Sequence, residues 1–100
     1  MKIKKHTLLV GLNDKDTKKQ KVTSAKARKV IMDIVGDCTI SDACGCYTHN
    51  NGTVVQEKCL RVELLFKADN EVTMFCKRIK RELNQESIAL CTSYEESVLV

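Results

Sequence analysis

Proline is absent from this chain of 100 residues, and glycine occurs only four times. No Pro-, Gly- or Ser-rich stretch marks a linker or a low-complexity segment, and no internal repeat is present. The sequence therefore reads as one domain over residues 1–100, long enough to bury about two-thirds of its unfolded surface around a single core. No apolar run approaches the ~18 residues of a membrane-spanning helix. The apolar stretch Leu8–Leu12, behind the basic Met1–Lys5, is too short for the hydrophobic segment of a signal peptide. These absences predict a cytoplasmic protein with no membrane contact, whose six cysteines stay reduced.

Motifs that carry chemistry are missing as well. There is no Gly-x-Ser-x-Gly, no phosphate-binding Walker loop, no His-Glu-x-x-His and no Gly-x-Gly-x-x-Gly. His6 and His49 are the only histidines. Cys46 and His49 are close in sequence, but strand alternation puts them on opposite faces and denies them a nucleophile–base contact. The expectation is a protein that is not an enzyme, with no catalytic residue and no cofactor. Asp14 and Asp16, within Asn13–Gln20, lack the remainder of a calcium loop, so that segment reads as a solvated turn and no metal is expected there.

What is present begins with charge. Residues 1–30 hold ten Lys/Arg against Asp14 and Asp16, whereas residues 31–100 hold seven against eleven Asp/Glu. Such an imbalance suits either a solubilising arm and helix face or a basic surface that meets phosphate or an acidic partner.

Hydrophobic period then gives the elements. His6–Leu12 is a short apolar run and predicts a first strand. Thr23 or Ser24 can cap a helix over 24–35, whose apolar stripe is Ala27, Val30, Ile31, Ile34 and Val35, with Gly36 just past its end. Residues 44–66 read as two strands about Asn51-Gly52, the pairing that favours a two-residue type I′ turn. That turn sets Cys44 against Cys59, Cys46 against Glu57 and Tyr47 against Gln56. Asp69 or Asn70 can cap a second helix with Val72, Phe75, Cys76, Ile79 and Leu83 as its stripe, ending at Asn84-Gln85. Residues 87–94 predict a fourth strand with Ile88, Leu90 and Thr92 inward.

The order β-α-β-β-α-β is the split βαβ, or ferredoxin-like, plan of the α+β class: a four-stranded antiparallel sheet with both helices on one face. The most apolar runs, strands one and three, belong at its centre.

In the predicted register Cys44, Cys46 and Cys59 share a face. Three thiolates with a fourth ligand can hold zinc, yet Cys-x-Cys on a strand is not the usual ligand spacing, and a Cys44–Cys59 bridge is the other option. No metal site is assigned. Cys38, Cys76 and Cys91 read as small core residues. The RNA-recognition version of this plan stacks bases on aromatics of strands one and three, which these strands lack. Nucleic acid would instead meet basic residues within 15–29 through its phosphates. On the sheet face away from the helices, Leu9 and Leu65, with Arg61 and Glu63 beside them, mark a face for a homodimer or a partner.

Leu8–Gln20, Gly45–Phe66 and Leu83–Leu90 together resemble small uncharacterised proteins encoded on bacteriophages and other mobile elements. The pattern is also similar to a domain family of unknown function with a ferredoxin-like fold. That resemblance implies a non-enzymatic protein-binding module, most concretely an anti-defence inhibitor of the anti-CRISPR type. Its partner would be a host protein such as a CRISPR–Cas effector or another defence nuclease. The residues expected to meet the partner are Tyr47, His49 and Asn50 at the hairpin tip and Lys15, Lys18, Lys19 and Lys21 in the basic loop. The alternatives are a small-molecule or nucleotide binder, using the cleft between 13–21 and the hairpin, and a basic accessory protein on nucleic acid.

Overall fold

The computed structural model describes residues 1–48 and 50–100; His49 lies outside them. The elements run β1 (Lys2–Gly11), α1 (Ser24–Val35), β2 (Thr39–Thr48), β3 (Val54–Leu65), α2 (Asp69–Glu82) and β4 (Ala89–Glu96). All four strands pair antiparallel in the order β2-β3-β1-β4. The expected split βαβ plan is thus present, with β1 and β3 central.

The core forms where the sheet's inner face meets both helices. Leu8 and Val10 of β1 and Leu60, Val62 and Leu64 of β3 are fully covered there, packed with Ala27 and Ile31 of α1 and Val72 and Ile79 of α2. Period-two alternation on the strands and the apolar stripes on the helices account for this set. Helix α1 starts where the Thr23 hydroxyl accepts from the Lys26 amide at 3.1 Å. It stops where Gly36, at φ +75°, donates its N–H to the Met32 carbonyl at 2.9 Å.

Helix α2 departs from expectation at its start. Ala68, not Asp69 or Asn70, is the N-cap, and Glu71 reaches back to accept from the Ala68 amide at 3.2 Å. Asp69 is otherwise engaged: it lies 2.8 Å from both the Lys4 ammonium and Nε2 of the buried His6. The Lys4 hydrogen bond, then that of His6, holds the Asp69 carboxyl below the usual carboxylate range. The strands are longer or displaced too. β1 begins four residues before the apolar run because Lys2–Lys5 pair with β4, and β4 starts at Ala89.

The hairpin differs in a way that matters for function. β2 ends at Thr48 and β3 begins at Val54, so the connection is wider than a two-residue turn. Gly52 has φ +85°, whereas the described non-glycine residues with positive φ are Lys18, Phe66 and Asn84. A type I′ turn needs positive φ at both central residues, and Asn51 instead accepts from the Thr53 amide through its side chain at 2.9 Å. The register consequently slips by one: Cys44 faces Lys58, Gly45 faces Glu57, Tyr47 faces Val55, and Ala43 rather than Cys44 faces Cys59. A one-residue slip moves a strand's whole side-chain set to the other face. Cys44 and Cys46 therefore lie on the helix side and Cys59 on the open side, which separates the three thiols expected together. Cys91 is exposed rather than in the core, while Cys38 and Cys76 do pack against it. Leu90 and Thr92 are also exposed, because β4 is an edge strand and the helices leave it uncovered.

Candidate functional site

The slipped register gathers a cluster on the open face at one end of the sheet. Gly11 of β1 faces Cys59 of β3, Leu9 of β1 faces Ala89 of β4, and Gly45 of β2 faces Glu57 of β3. With two glycines and an alanine among them, this part of the sheet surface is low. It forms the floor of a cleft of about 560 Å³, lined also by Tyr47, Val55, Glu57 and Cys59. A cleft of that size falls within the ~300–1,000 Å³ of small-molecule sites.

Glu57 lies across the floor. One carboxylate oxygen accepts from the Tyr47 hydroxyl, and the other accepts from the Asn13 amide at 2.8 Å. The carboxylate can lie there because Gly11 has no side chain: a Cβ on Gly11 would stand 2.6 Å from Oε1 and 2.7 Å from Oε2. Gly45 similarly makes room, since its Cβ would stand 3.1 Å from the Cys59 sulfur and 3.4 Å from the Tyr47 ring. The result is a charged group held from two sides by neutral donors, with its negative charge uncancelled by any ion pair among the described residues.

Cys59 is no nucleophile in this setting. Burial, the leading cause, pushes its thiol pKa up, and the S–H donates to the Glu57 carbonyl at 3.4 Å. His6 is on the opposite face of β1, buried against α2, and so takes no part in the cleft.

Two loops build the rim. Asn13, Asp14, Lys15 and Lys18 line it from one loop, and Gln85, Glu86 and Ser87 from the other. They are fastened to each other. The Asn84 side-chain amide donates to Asp14 at 2.7 Å and to Asp16 at 2.9 Å, and the Gln85 amide donates to the Asn13 carbonyl at 2.7 Å. Asp14 also accepts from the amides of Asp16 and Thr17 at 3.0 Å each. The Asn84 hydrogen bond first, with the Thr17 amide second, lowers the Asp14 pKa to about 2. The segment read as a solvated turn is thus an ordered loop clasped to the end of α2.

Of the residues singled out from sequence, Tyr47, Lys15, Lys18 and Leu9 come together around this cleft. Lys19 and Lys21 are exposed on the same loop, and Asn50 is exposed in the turn; none of the three lines the cleft. Leu65, 39% exposed, and the exposed Arg61 lie on the open face beyond it. Glu63 there is paired with Lys5 at 3.5 Å, which also reaches Glu95 at 3.6 Å. That half of the open face is therefore a charged network rather than an apolar patch. Asn13 bounds the cleft expected between 13–21 and the hairpin, whereas Glu57 and Gly11 were missed as site residues. The available signal was glycine inside two strand runs, which marks a close approach by another group.

No protein-family model matches the sequence, and no curated protein matches it. Solved structures do share the fold. A phage SAM lyase in complex with S-methyl-5'-thioadenosine matches with a TM-score of 0.67 at 19% identity, over 91% of this chain and 80% of that one. The phage SAM lyase in its apo state matches with a TM-score of 0.70 at 19% identity, over 91% and 79% of the two chains. CutA from Synechococcus elongatus PCC7942 matches with a TM-score of 0.51 at 8% identity, over 94% and 80%. At these identities the likeness establishes a common fold. It also overturns the expectation of a non-enzymatic module, because the same strands and helices support an enzyme in the phage lyases. The link to phage proteins holds at the level of fold. Neither that fold nor the cleft points to a CRISPR effector as partner.

Proposed function

We propose that the chain is an enzyme of the SAM lyase type, which binds S-adenosylmethionine in the cleft and releases 5'-methylthioadenosine. The observation that carries this reading is the Glu57 carboxylate, held by Tyr47 and Asn13 on a floor kept low by Gly11. A sulfonium cation needs a carboxylate and an aromatic face close together, and both are here. The small apolar surface of Leu9 and Ala89 beside Glu57 suits a flat purine, and the polar atoms of Asn13, Gln85 and Ser87 at the rim suit its edges and a ribose.

The bond broken by such a lyase runs from the sulfonium sulfur to the amino-acid side chain. Its electron pair stays on sulfur, which becomes the neutral thioether, while an oxygen of the substrate's own carboxylate bonds to the carbon that sulfur leaves and closes a five-membered lactone, so no water or second substrate is consumed. Glu57 has a defined part in this. It favours the charged substrate over the neutral product, so cleavage weakens the hold on the nucleoside and helps product leave. Tyr47 positions Glu57 and presents its ring to the cation.

Incubation of the purified protein with S-adenosylmethionine should yield 5'-methylthioadenosine on chromatography. Glu57→Gln keeps the shape but removes the charge, and should lower kcat/KM by about a hundredfold through weaker substrate binding, as loss of a close charge contact at intermediate dielectric implies. Tyr47→Phe should cost about tenfold, the worth of one hydrogen bond to a charged group. A wild-type protein that neither binds S-adenosylmethionine in calorimetry nor forms the thioether would overturn the reading.

A further inference from the structure

Resting on the lyase reading, we infer that Lys15 and Lys18 form the subsite for the amino-acid carboxylate of the sulfonium substrate, so that the cleft selects an amino-acid sulfonium over a nucleotide. Both lysines line the cleft from the same loop, and neither takes part in an ion pair among the described residues. Their backbones are fixed. The Lys15 amide donates to the Asn84 carbonyl at 3.0 Å and the Lys18 amide to the Asp14 carbonyl at 2.8 Å. Lys18 is held at φ +63°, a left-handed conformation that few side-chain-bearing residues adopt. A non-glycine residue kept in that region at the mouth of a cleft is an outlier that points to use.

The order of charges gives the ligand class. The floor is negative at Glu57; on this rim Lys15 and Lys18 carry positive charge unpaired among the described residues, while the Asp14 carboxylate of the same loop is already engaged by Asn84 and by the Asp16 and Thr17 amides. In S-adenosylmethionine the sulfur occupies the place of the 5' oxygen of a nucleotide, and the carboxylate comes several bonds further out. A ligand laid with its purine on the floor therefore sets its cation over Glu57 and its anion at the lysines. A nucleotide laid the same way sets its first phosphate against Glu57, which repels it. Glu86, on the second rim loop, is of the right sign for the substrate's ammonium.

The test uses the whole chain and three ligands in calorimetry: S-adenosylmethionine, its decarboxylated form, which retains the sulfonium, and 5'-methylthioadenosine. The variant is Lys15→Gln with Lys18→Asn, since asparagine tolerates positive φ. Thermal unfolding checks that it remains folded. The double variant should bind S-adenosylmethionine about tenfold more weakly, as loss of a charge-assisted contact implies, and bind the decarboxylated form as wild type does. Glu57→Gln should instead weaken both sulfonium ligands and leave 5'-methylthioadenosine unchanged. Equal weakening of both sulfonium ligands by the lysine variant, or no weakening of either, would overturn the subsite while leaving the lyase reading in place. A wild-type protein that binds none of the three ligands overturns both.

Discussion

Glu57 sits mid-strand on a sheet face, where a carboxylate usually points to open water. Here it lies flat because its neighbour across the sheet is glycine. Gly11→Ala would bring a methyl group to 2.6 Å from a carboxylate oxygen, and the atoms in its way are the far end of a flexible side chain. The carboxylate swings off the floor, and the backbone need not move. Unfolding free energy should change by less than about 1 kcal/mol, the usual scale for glycine against alanine in a strand. On the proposed lyase reading, formation of 5'-methylthioadenosine should fall by about tenfold or more, since the Asn13 and Tyr47 contacts are both lost. Equal activity in the two proteins would show that Glu57 acts from another position. The sequence hides this, because a two-residue Asn51-Gly52 turn sets Tyr47 against Gln56, on the face away from Glu57. The sequence signal Asn51-Gly52 is a strong one for a tight turn, and the longer connection overrode it.

At the scale of elements, the caps and stripes of α1 were readable residue by residue, from Thr23 to Gly36. The start of α2 was not, because Asp69 has a partner 65 residues away in Lys4 and no local rule anticipates that. The clasp between loop 13–20 and the end of α2 has the same character: Asn84 and Asp14 are 70 residues apart. It makes a pH prediction. The Asp14 carboxyl is lowered to about 2 in the folded protein, against about 3.9 for a free aspartate. A group with a depressed folded pKa contributes its stability above the unfolded value, and loses it as pH falls through the folded one. The contribution is therefore whole above about pH 4 and fades toward pH 2. Asn84→Gly keeps the left-handed backbone at φ +48° while deleting the amide that is the leading cause. Acid unfolding of that variant, followed by circular dichroism, should begin at higher pH than in wild type. Coincident acid transitions would mean that the Asp16 and Thr17 amides alone hold Asp14.

For the whole molecule, the order of strands followed from the sequence because the two most apolar runs had to be central. Leu60, fully covered between both helices and β1, tests how much rests on that centre. Leu60→Ala should cost about 2–5 kcal/mol, a large share of the ~5–15 kcal/mol that holds a domain together. Urea titration reads it directly, and a loss below about 1 kcal/mol would mean that the core collapses to fill the gap. The cleft was harder to foresee than the core. Its parts come from Leu8–Gln20, Gly45–Phe66 and Leu83–Leu90, the same three segments that carry the resemblance to phage-borne proteins, and only the completed sheet sets them side by side.

That arrangement has a consequence for how the protein comes into being. β1 leaves the ribosome before β2, β3 and β4, yet its two neighbours are β3 and β4, with Leu9 paired to Arg61 on one side and Ala89 on the other. An apolar strand must wait with both edges bare while most of the chain is made, which is a slow and aggregation-exposed way to fold. A fragment without β4 lacks part of the cleft. Ala89 supplies floor and Gln85 supplies the clasp, so the nascent chain gains a binding cleft only once β4 has emerged and docked.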